Sequence, residues 1–379
     1  MRSLSVPVLA FLLVLLFGVV APASGSPHNP SPGAMKRKGG DGGGGDDGGN
    51  GGDGGDGGGD SGDGGNGIPT VDGAKNPACI PWYAIRDAIM GGIYHGRCGD
   101  PARAAVRLAF HDAGTFSLAL EAAGLPNGGA DGSMLVDPNE VLRAENNGLQ
   151  NIVSLLQPLP VQFNVTPGDV LHLAGVLGVL ACPGGPVINT YIGRKAPTNI
   201  APDGLLPNTN SPVPVLTDRF ADMGFSIREL MALIGAHTAG KQRFVNLALA
   251  PSSFDSTVDI WDVRFYSETQ SSSLVAGTFR LPSDVNFSHN ATTQKDYNRF
   301  VGKQDDWGRE YADAHEKMSL LGVDQTTLTD CTEILPLSID LKDLAVSSSD
   351  SDSGKQPTDP VIDPVKLEAA IQKYRSIWL

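Results

Sequence analysis

Arg107 and His111 are the residues of this sequence whose types and spacing most directly predict chemistry. They stand four residues apart in an Ala-rich run, so in a helix they project from one face. An imidazole there can take a proton from one oxygen of a peroxide and return it to the other. The guanidinium can stabilise the negative charge that develops as the O–O bond breaks. The alternative is an ordinary surface helix with an Arg/His pair.

A second histidine, His237, ends an apolar helical stripe and is flanked by small residues. Small neighbours allow a flat cofactor to approach closely. A haem iron held by one imidazole needs the other ring nitrogen of that imidazole hydrogen-bonded to a carboxylate, and Asp284 is our candidate for this partner. The alternative is a core histidine whose hydrogen bonds are satisfied within the protein.

Two sets of oxygen-bearing residues predict calcium sites. Carboxylates mixed with hydroxyl and carbonyl oxygens suit the flexible coordination of Ca²⁺. Each set includes the neighbour of one histidine, so calcium would fix both histidine-bearing segments; the alternative is a pair of solvated loops. The first set is Asp112, the carbonyl of Gly129, Asp131 and Ser133, and the second is Thr238, Asp255, Thr257, the carbonyl of Ile260 and Asp262.

The elements that must position these residues are predicted to be mainly helices, because strand-like alternation is scarce. Asp100 followed by Pro101 predicts the start of the Arg107/His111 helix, with Asp100 as its cap. The segments 166–169 and 226–229 are interpreted as capping boxes that open apolar helices. Further helices are predicted over residues 80–94, 147–156, 298–321 and 365–379, and a turn over 280–284.

The two ends of the chain differ in composition from its middle. Residues 1–23 have a basic start, an apolar run and a small-residue cleavage site, which predicts a secretory signal peptide, with a signal anchor as the alternative. Residues 24–75 are rich in Gly and Asp and are predicted to be a disordered propeptide or linker; Lys36-Arg37 within them is either a processing site or incidental. We expect the folded domain over residues 76–345 and a Ser/Asp-rich tail over 346–379.

Charge and cysteine content narrow the class of protein further. The 28 basic and 42 acidic residues give a formal net charge of −14. The sequence shows no basic patch, so it does not predict nucleic-acid binding. Four cysteines without C-x-x-C spacing predict two disulfides in a secreted chain rather than a zinc site. The residues alone leave all three pairings open.

Taken together, the motifs resemble those of the plant and fungal haem peroxidase superfamily, most of all its secreted fungal class II branch. The resemblance covers about residues 77–340 and implies a mainly α, two-lobed fold with haem b between a distal and a proximal helical half. It rests on ordered matches at residues 107–112, 128–133, 182–186, 201–205, 229–238, 254–257, 265–270, 281–284 and 328–331.

The resemblance also implies roles for single residues. His111 would be the distal base and Arg107 the distal cation, while Asn146 would accept the N–H of the distal imidazole and Glu140 would hold Asn146. The remaining implied roles are His237 as iron ligand, Asp284 as its partner, Phe110 and Phe254 as rings packed near the haem, two bound Ca²⁺ ions, and disulfides Cys98–Cys182 and Cys79–Cys331.

The implied activity is reduction of hydrogen peroxide with one-electron oxidation of small aromatic donors, chiefly phenols, at the haem edge. We expect a secreted monomer, free of the membrane after signal cleavage, with glycosylation sites at Asn164, Asn286 and Asn290. Two alternatives are a manganese or lignin-type peroxidase with an atypical site, and a non-catalytic calcium-binding extracellular scaffold. The generic subtype is preferred for two reasons. Manganese peroxidases have acidic residues at three positions that in this sequence hold Asp100, Ala104 and Arg243. Lignin peroxidases have a surface tryptophan at a position that here holds Ala232.

Overall fold

The computed structural model describes residues 69–346 and 361–379. The predicted signal peptide, the linker up to residue 68, its Lys36-Arg37 pair and the Ser/Asp run over 347–360 lie outside the described residues. The α-helices are α1 (Ile80–Asp87), α2 (Asp100–Ala113), α3 (Leu118–Ala122), α4 (Gln150–Leu156), α5 (Pro158–Phe163), α6 (Pro167–Leu180), α7 (Val213–Asp222), α8 (Ile227–Ile234), α9 (Arg264–Gln270), α10 (Pro282–His289), α11 (Gln294–Asn298), α12 (Gln304–Met318), α13 (Leu341–Leu344) and α14 (Pro364–Trp378).

Sheet structure within these ranges is limited to two short antiparallel pairs, so the mainly α prediction is confirmed. None of the helices described is long and apolar enough to cross a membrane. The strands are β1 (Tyr191–Ile192), paired with β4 (Thr329–Asp330), and β2 (Lys241–Gln242), paired with β3 (Ser252–Ser253). A π-helical segment (Ala88–Ile93) extends α1, and 3₁₀ turns cover Val71–Gly73, Pro77–Cys79, Ser133–Leu135, Glu140–Leu142, Ala144–Asn146, Gly235–Ala239, Leu247–Leu249, Gln325–Thr327 and Thr332–Ile334.

The helix that carries Arg107 and His111, α2, packs closely along α6, which is buried on almost every side. The approach is so close that a Cβ added to Gly175 of α6 would lie 2.6 Å from the Cβ of Ala109 of α2. Interiors packed at this density resist added volume. The backbone of α2 is therefore held rigidly behind the two residues that could do chemistry.

Both disulfides implied by the family resemblance are present, with Cα–Cα distances of 5.4 Å for Cys79–Cys331 and 4.4 Å for Cys98–Cys182. Cys98 precedes α2 and Cys182 follows α6, so this bond joins the same two helices that pack together. The Cys79–Cys331 bond ties the beginning of α1 to the end of β4.

The capping predictions had mixed outcomes. The box at Ser226 is confirmed: its hydroxyl accepts from the Glu229 amide, and the Glu229 carboxylate accepts from the Ser226 amide. The box at residues 166–169 is wrong, although α6 does begin there. The Asp169 carboxylate accepts hydrogen bonds from the Gly193 amide and from the buried Arg194 guanidinium instead of capping the helix.

The predicted cap of α2 and three predicted element boundaries were wrong, because the charged partners or the helix breaks lie at other positions in the chain. Asp100 is not the cap of α2; Gly99 takes that position, and the Asp100 carboxylate is bound by Arg103 and Arg243. Only residues 280 and 281 of the turn predicted over 280–284 precede a helix, because α10 begins at Pro282. The helix predicted over 147–156 begins at Gln150. The helix predicted over 298–321 is broken after Asn298, the last residue of α11, and resumes as α12 at Gln304.

Candidate active site

The imidazole of His111 is oriented by an amide. Its Nδ1 lies 2.7 Å from Asn146 Oδ1, and Asn146 Nδ2 donates to the main-chain carbonyl of Glu140 at 2.7 Å. Because an amide oxygen only accepts hydrogen bonds, this network assigns the proton of the neutral ring to Nδ1. Nε2 is then left to accept a proton. The backbone of Glu140, not its carboxylate, holds Asn146.

His111 and Arg107 share one face of α2, as their spacing predicts. Burial, together with the neighbouring charge of Arg107, lowers the pKa of His111 to about 3, so the imidazole is neutral over most of the pH range. Two carbonyls orient the guanidinium of Arg107, which donates to Glu145 O and Asn147 O at 2.8 Å each.

The Arg107 side chain is exposed to solvent, yet desolvation lowers its pKa to about 10. A side chain that is both accessible and densely surrounded by protein lines a recess rather than a convex surface. Phe110 lies edge-on to His111, with ring centroids 5.8 Å apart, and stacks on Phe220 of α7 at 5.9 Å.

A second histidine pair involves His237 and Asp284. His237 Nδ1 lies 2.9 Å from Asp284 Oδ2, and the carboxylate is buried in the first turn of α10, where a helix favours negative charge. The His237 side chain is 33 % exposed, and its Nε2 makes no hydrogen bond with any described residue. Phe254 and Phe265 pack against the ring at centroid distances of 5.2 and 5.6 Å.

Two glycines beside His237 lie against aromatic side chains of the protein. A Cβ on Gly235 would lie 2.4 Å from both Trp307 Nε1 and Tyr266 Oη, and one on Gly240 would lie 2.7 Å from Phe254. These glycines make room for aromatic side chains of the protein itself. That the small residues around His237 also allow close approach of a flat cofactor stays a prediction.

Contacts join the segment that follows His237 to α2. Arg243 donates to Asp100 Oδ2 at 2.6 Å, and a Cβ on Gly148 would lie 2.7 Å from Phe244 and 3.6 Å from Arg107 Nη1. The segment that carries His237, with Nε2 free and Nδ1 bound to Asp284, thus lies alongside α2. That helix carries the neutral base His111 and the cation Arg107. This donor set fits an iron porphyrin held by His237.

The first predicted calcium set is brought together around Asp112. The Asp112 carboxylate is fully buried and accepts from the amides of Gly132 at 2.9 Å and Met134 at 3.4 Å, so the loop that contains Gly129 folds around it. The Ser133 amide donates to Asp131 at 3.0 Å. Burial raises the pKa of both Asp112 and Asp131.

Buried oxygens near this loop would suit a bound cation. The buried carboxylate of Glu140 receives no well-formed hydrogen bond from a described residue, and the Ser133 hydroxyl, which lies near both Glu140 and Asp131, helps to lower their pKa values. Burial, followed by the charge of Asp112, raises the pKa of Glu140 to about 7. An oxygen-seeking cation would satisfy these groups together.

The second predicted set is also assembled. Thr238 Oγ1 donates to Asp255 Oδ2 at 2.6 Å, Thr257 Oγ1 donates to Asp262 Oδ1 at 3.0 Å, and Ile260 is buried in the same loop. Burial, followed by the charge of Asp262, raises the pKa of Asp255 to about 8. Asp255 and Asp262 are both buried and their charges repel each other, and a bound Ca²⁺ would stabilise the pair.

Neither predicted calcium set contains three or more acidic, histidine or cysteine side chains. Within the two described ranges no group of three or more His, Cys, Asp or Glu side chains could hold a metal ion. Each proposed site would therefore combine two aspartates with hydroxyl and carbonyl oxygens. Such a mixture fits Ca²⁺ better than it fits a transition metal.

His172 is a residue of this region that the sequence analysis left without a role. It is buried in α6, with Nε2 3.1 Å from Asp112 Oδ2, and burial lowers its pKa well below the usual value. The neutral imidazole can donate to Asp112 and fix that carboxylate. The available signal was its position, as a polar residue inside an otherwise apolar run.

Comparison with known proteins places these residues in a family context. The model of the family described as Peroxidase matches residues 84–330. A peroxidase of Arthromyces ramosus is 32% identical over 289 residues, covering 72% of this chain and 79% of that protein. Ligninase LG2 of Phanerodontia chrysosporium is 33% identical over 280 residues, covering 69% and 76%. Manganese peroxidase 3 of Phlebia radiata is 32% identical over 284 residues, covering 70% and 78%.

Proposed function

The chain belongs to the peroxidase family and is a haem peroxidase of the fungal type. From this premise we propose that it is a secreted enzyme that reduces hydrogen peroxide and oxidises small phenolic donors one electron at a time. The observation that carries the proposal is the joint presence of a neutral, amide-oriented His111 beside Arg107 and a carboxylate-backed His237. A non-catalytic scaffold would have no need of both arrangements.

His237 is the residue that would hold the iron of haem b, through Nε2. Its Nδ1 is bound to Asp284, which fixes the orientation of the ring and leaves Nε2 to bind the metal. Haem supplies the redox centre that takes electrons from donors one at a time. Phe254 packs against the His237 ring and Phe110 against the His111 ring, so the two phenylalanines restrict how each imidazole can turn.

The chemistry assigned to this chain's own residues is proton handling. His111 Nε2 takes the proton from one oxygen of hydrogen peroxide and delivers it to the other, which leaves as water. Arg107 stabilises the negative charge that develops on the departing oxygen. Asn146 keeps Nδ1 protonated throughout, so Nε2 is always the nitrogen that faces the peroxide.

We further propose two calcium ions, one at each predicted set. Asp112, Asp131, Ser133 and the Gly129 carbonyl would hold the first, and Glu140 lies close enough to feel the charge of Asp112. The second set is Thr238, Asp255, Thr257, the Ile260 carbonyl and Asp262. Because Asp112 follows His111 and Thr238 follows His237, each ion would stiffen the segment that carries one histidine.

The domain organisation that accompanies this function is also a proposal. It consists of a signal peptide over 1–23, a Gly/Asp-rich linker over 24–75, a catalytic domain over 76–345 and a tail over 346–379, in a monomeric protein. The helix expected near the end of the tail corresponds to α14.

A haem spectrum tests the proposed function. We expect the purified protein to take up hemin, to show a Soret band that changes on addition of hydrogen peroxide, and to oxidise a simple phenol such as guaiacol. A colourless protein that does not bind hemin would contradict the proposal and favour the scaffold alternative.

We expect manganese not to be a kinetically competent donor. Asp100 is already bound by Arg103 at 3.0 Å and by Arg243 at 2.6 Å, and the neighbouring Ala104 offers no ligand, so a divalent cation would meet positive charge there. The measurement is the steady-state rate of Mn³⁺ formation against Mn²⁺ concentration, with guaiacol oxidation as the control. Saturable Mn²⁺ oxidation that Asp100→Ala abolishes would support the manganese alternative instead.

A further inference from the structure

The C-terminal helix α14 is docked on the rest of the domain by an apolar stripe. Tyr374 is 8 % exposed and lies in the main core cluster, and Trp378 packs against that cluster. Leu367 and Ala370 pack on the smaller core cluster formed by residues 260, 341 and 344. The helix is therefore a fixed wall of the structure.

Glycine makes this docking close. A Cβ on Gly91 would lie 2.6 Å from the Trp378 carbonyl oxygen, and one on Gly96 would lie 2.9 Å from the Cα of Arg375. Both are backbone contacts, which cannot move aside as a flexible side chain could. The position of Arg375 relative to the loop that precedes α2 is set by these contacts.

Between α14 and that loop lies a groove of about 550 Å³, which we call the tail groove. This volume falls within the range of about 300–1,000 Å³ found for small-molecule sites. Polar side chains predominate along it, with apolar surface supplied mainly by Pro101 and Ile371. Its charged lining residues are Arg97, Asp100, Arg103, Lys241, Asp259, Glu368 and Arg375.

The acidic residues of the tail groove are already engaged. Arg103 binds Asp100 at 3.0 Å and Asp259 at 2.7 Å. Asp100 is bound by Arg243 as well, and the Glu368 carboxylate accepts from the Gln372 amide at 2.6 Å. The groove therefore presents few acidic oxygens to neutralise a further cation.

Two cations of the groove, Arg97 and Arg375, are without an acidic partner. Neither forms an ion pair with any residue in the described ranges, and Nε of Arg375 is buried without a hydrogen-bond partner there. Lys241 differs from them, because its charge helps to lower the pKa of Asp100. Because no carboxylate of the described residues neutralises Arg97 or Arg375, their charges favour an anionic ligand. The lining thus calls for an anion with some apolar surface.

We propose that the tail groove binds a small aromatic carboxylate, with its carboxylate at Arg97 and Arg375 and its ring against Pro101 and Ile371. Asp100 lies two helical turns before Arg107 in α2, and Lys241 lies four residues after His237, so two lining residues of the groove belong to the segments that carry the candidate site. The proposal deepens the proposed function and rests on it in one respect, since a carboxylated phenol bound in the tail groove would serve as an electron donor only if the protein is a peroxidase.

Calorimetric titration of the haem-loaded protein with 4-hydroxycinnamate tests the proposal. We expect Arg375→Gln to raise the dissociation constant about fivefold and the Arg97→Gln/Arg375→Gln pair to raise it about tenfold or more. Glu368→Gln should lower it, because it removes the competing negative charge. Lys373→Gln removes the same charge from α14 outside the groove and is the matched control, expected to leave binding unchanged.

Guaiacol and acetate separate the contributions of ring and charge. Guaiacol, a phenol without a carboxylate, should show the same KM in wild type and Arg375→Gln, and acetate should bind more weakly than 4-hydroxycinnamate. The tail-groove proposal would be overturned if Lys373→Gln and Arg375→Gln weakened the binding of 4-hydroxycinnamate equally, or if 4-hydroxycinnamate did not bind. The proposed function would still stand in that case if guaiacol were oxidised normally. Binding without oxidation of any phenol would contradict the proposed function alone.

Discussion

Replacing His111 with leucine is expected to slow the reaction with hydrogen peroxide by about 10²–10⁴-fold, the usual contribution of a positioned general base. Leucine occupies a similar volume but offers no nitrogen to take the peroxide proton. Arg107 remains in place, held by two carbonyls, but can stabilise charge only after that proton has moved. Stopped-flow measurement of the second-order rate constant of the haem-loaded protein with hydrogen peroxide gives the number directly.

His289→Leu is the matched control for this variant. His289 ends α10 and is bonded to the Val285 carbonyl rather than to any part of the candidate site, so its loss should leave the peroxide rate unchanged. An unaltered Soret band and melting temperature in His111→Leu would show that its defect is chemical. A near-normal rate in that variant would refute the assignment of His111 as base.

Removal of calcium is expected to have the largest effect on stability. An ion present at about one hundred times its dissociation constant stabilises the folded state by about 2.7 kcal/mol, so two sites contribute about 5 kcal/mol. For a folded domain of this size that corresponds to a fall in melting temperature of about 8–9 °C. Calorimetry before and after prolonged chelation measures it, and an unchanged melting temperature and haem spectrum would count against both sites.

The effect of chelation should depend on pH with a definite sign. Without metal, burial raises the pKa of Asp255 to about 8, so the folded state keeps a proton that the unfolded chain releases above about pH 4. The stability of the calcium-free protein should therefore fall as pH rises from about 4 to about 8. Calcium should stabilise more at pH 8 than at pH 5.

Asp255→Asn separates the charge from the shape at this second site. The variant cannot develop the buried negative charge, so in chelator at pH 8 it should be more stable than the wild type in chelator. In the presence of calcium the wild type should be the more stable of the two, because asparagine is a weaker calcium ligand than aspartate. The same order in both conditions would contradict a calcium role for Asp255.

Local pattern was sufficient for some of this protein. The four-residue spacing of Arg107 and His111 places both on one helical face because the α-helix repeats every 3.6 residues, whatever surrounds it. The Ser226 capping box and the C-terminal helix were predictable for the same reason, since their hydrogen bonds and apolar periodicity lie within a few residues of one another. Family motifs supplied the disulfide pairing, which the residues alone left open.

Tertiary structure decided what depends on partners that are distant in the chain. Asp169 was available as a cap, but Arg194 took its carboxylate, and the glycines beside His237 proved to make room for Trp307, Tyr266 and Phe254. His172 acquired its contact with Asp112 only because α6 packs along α2. A sequence fixes the face on which a side chain stands, whereas long-range packing fixes what that face meets, because hydrogen bonds and charges act over a few ångströms of space and not over a distance along the chain.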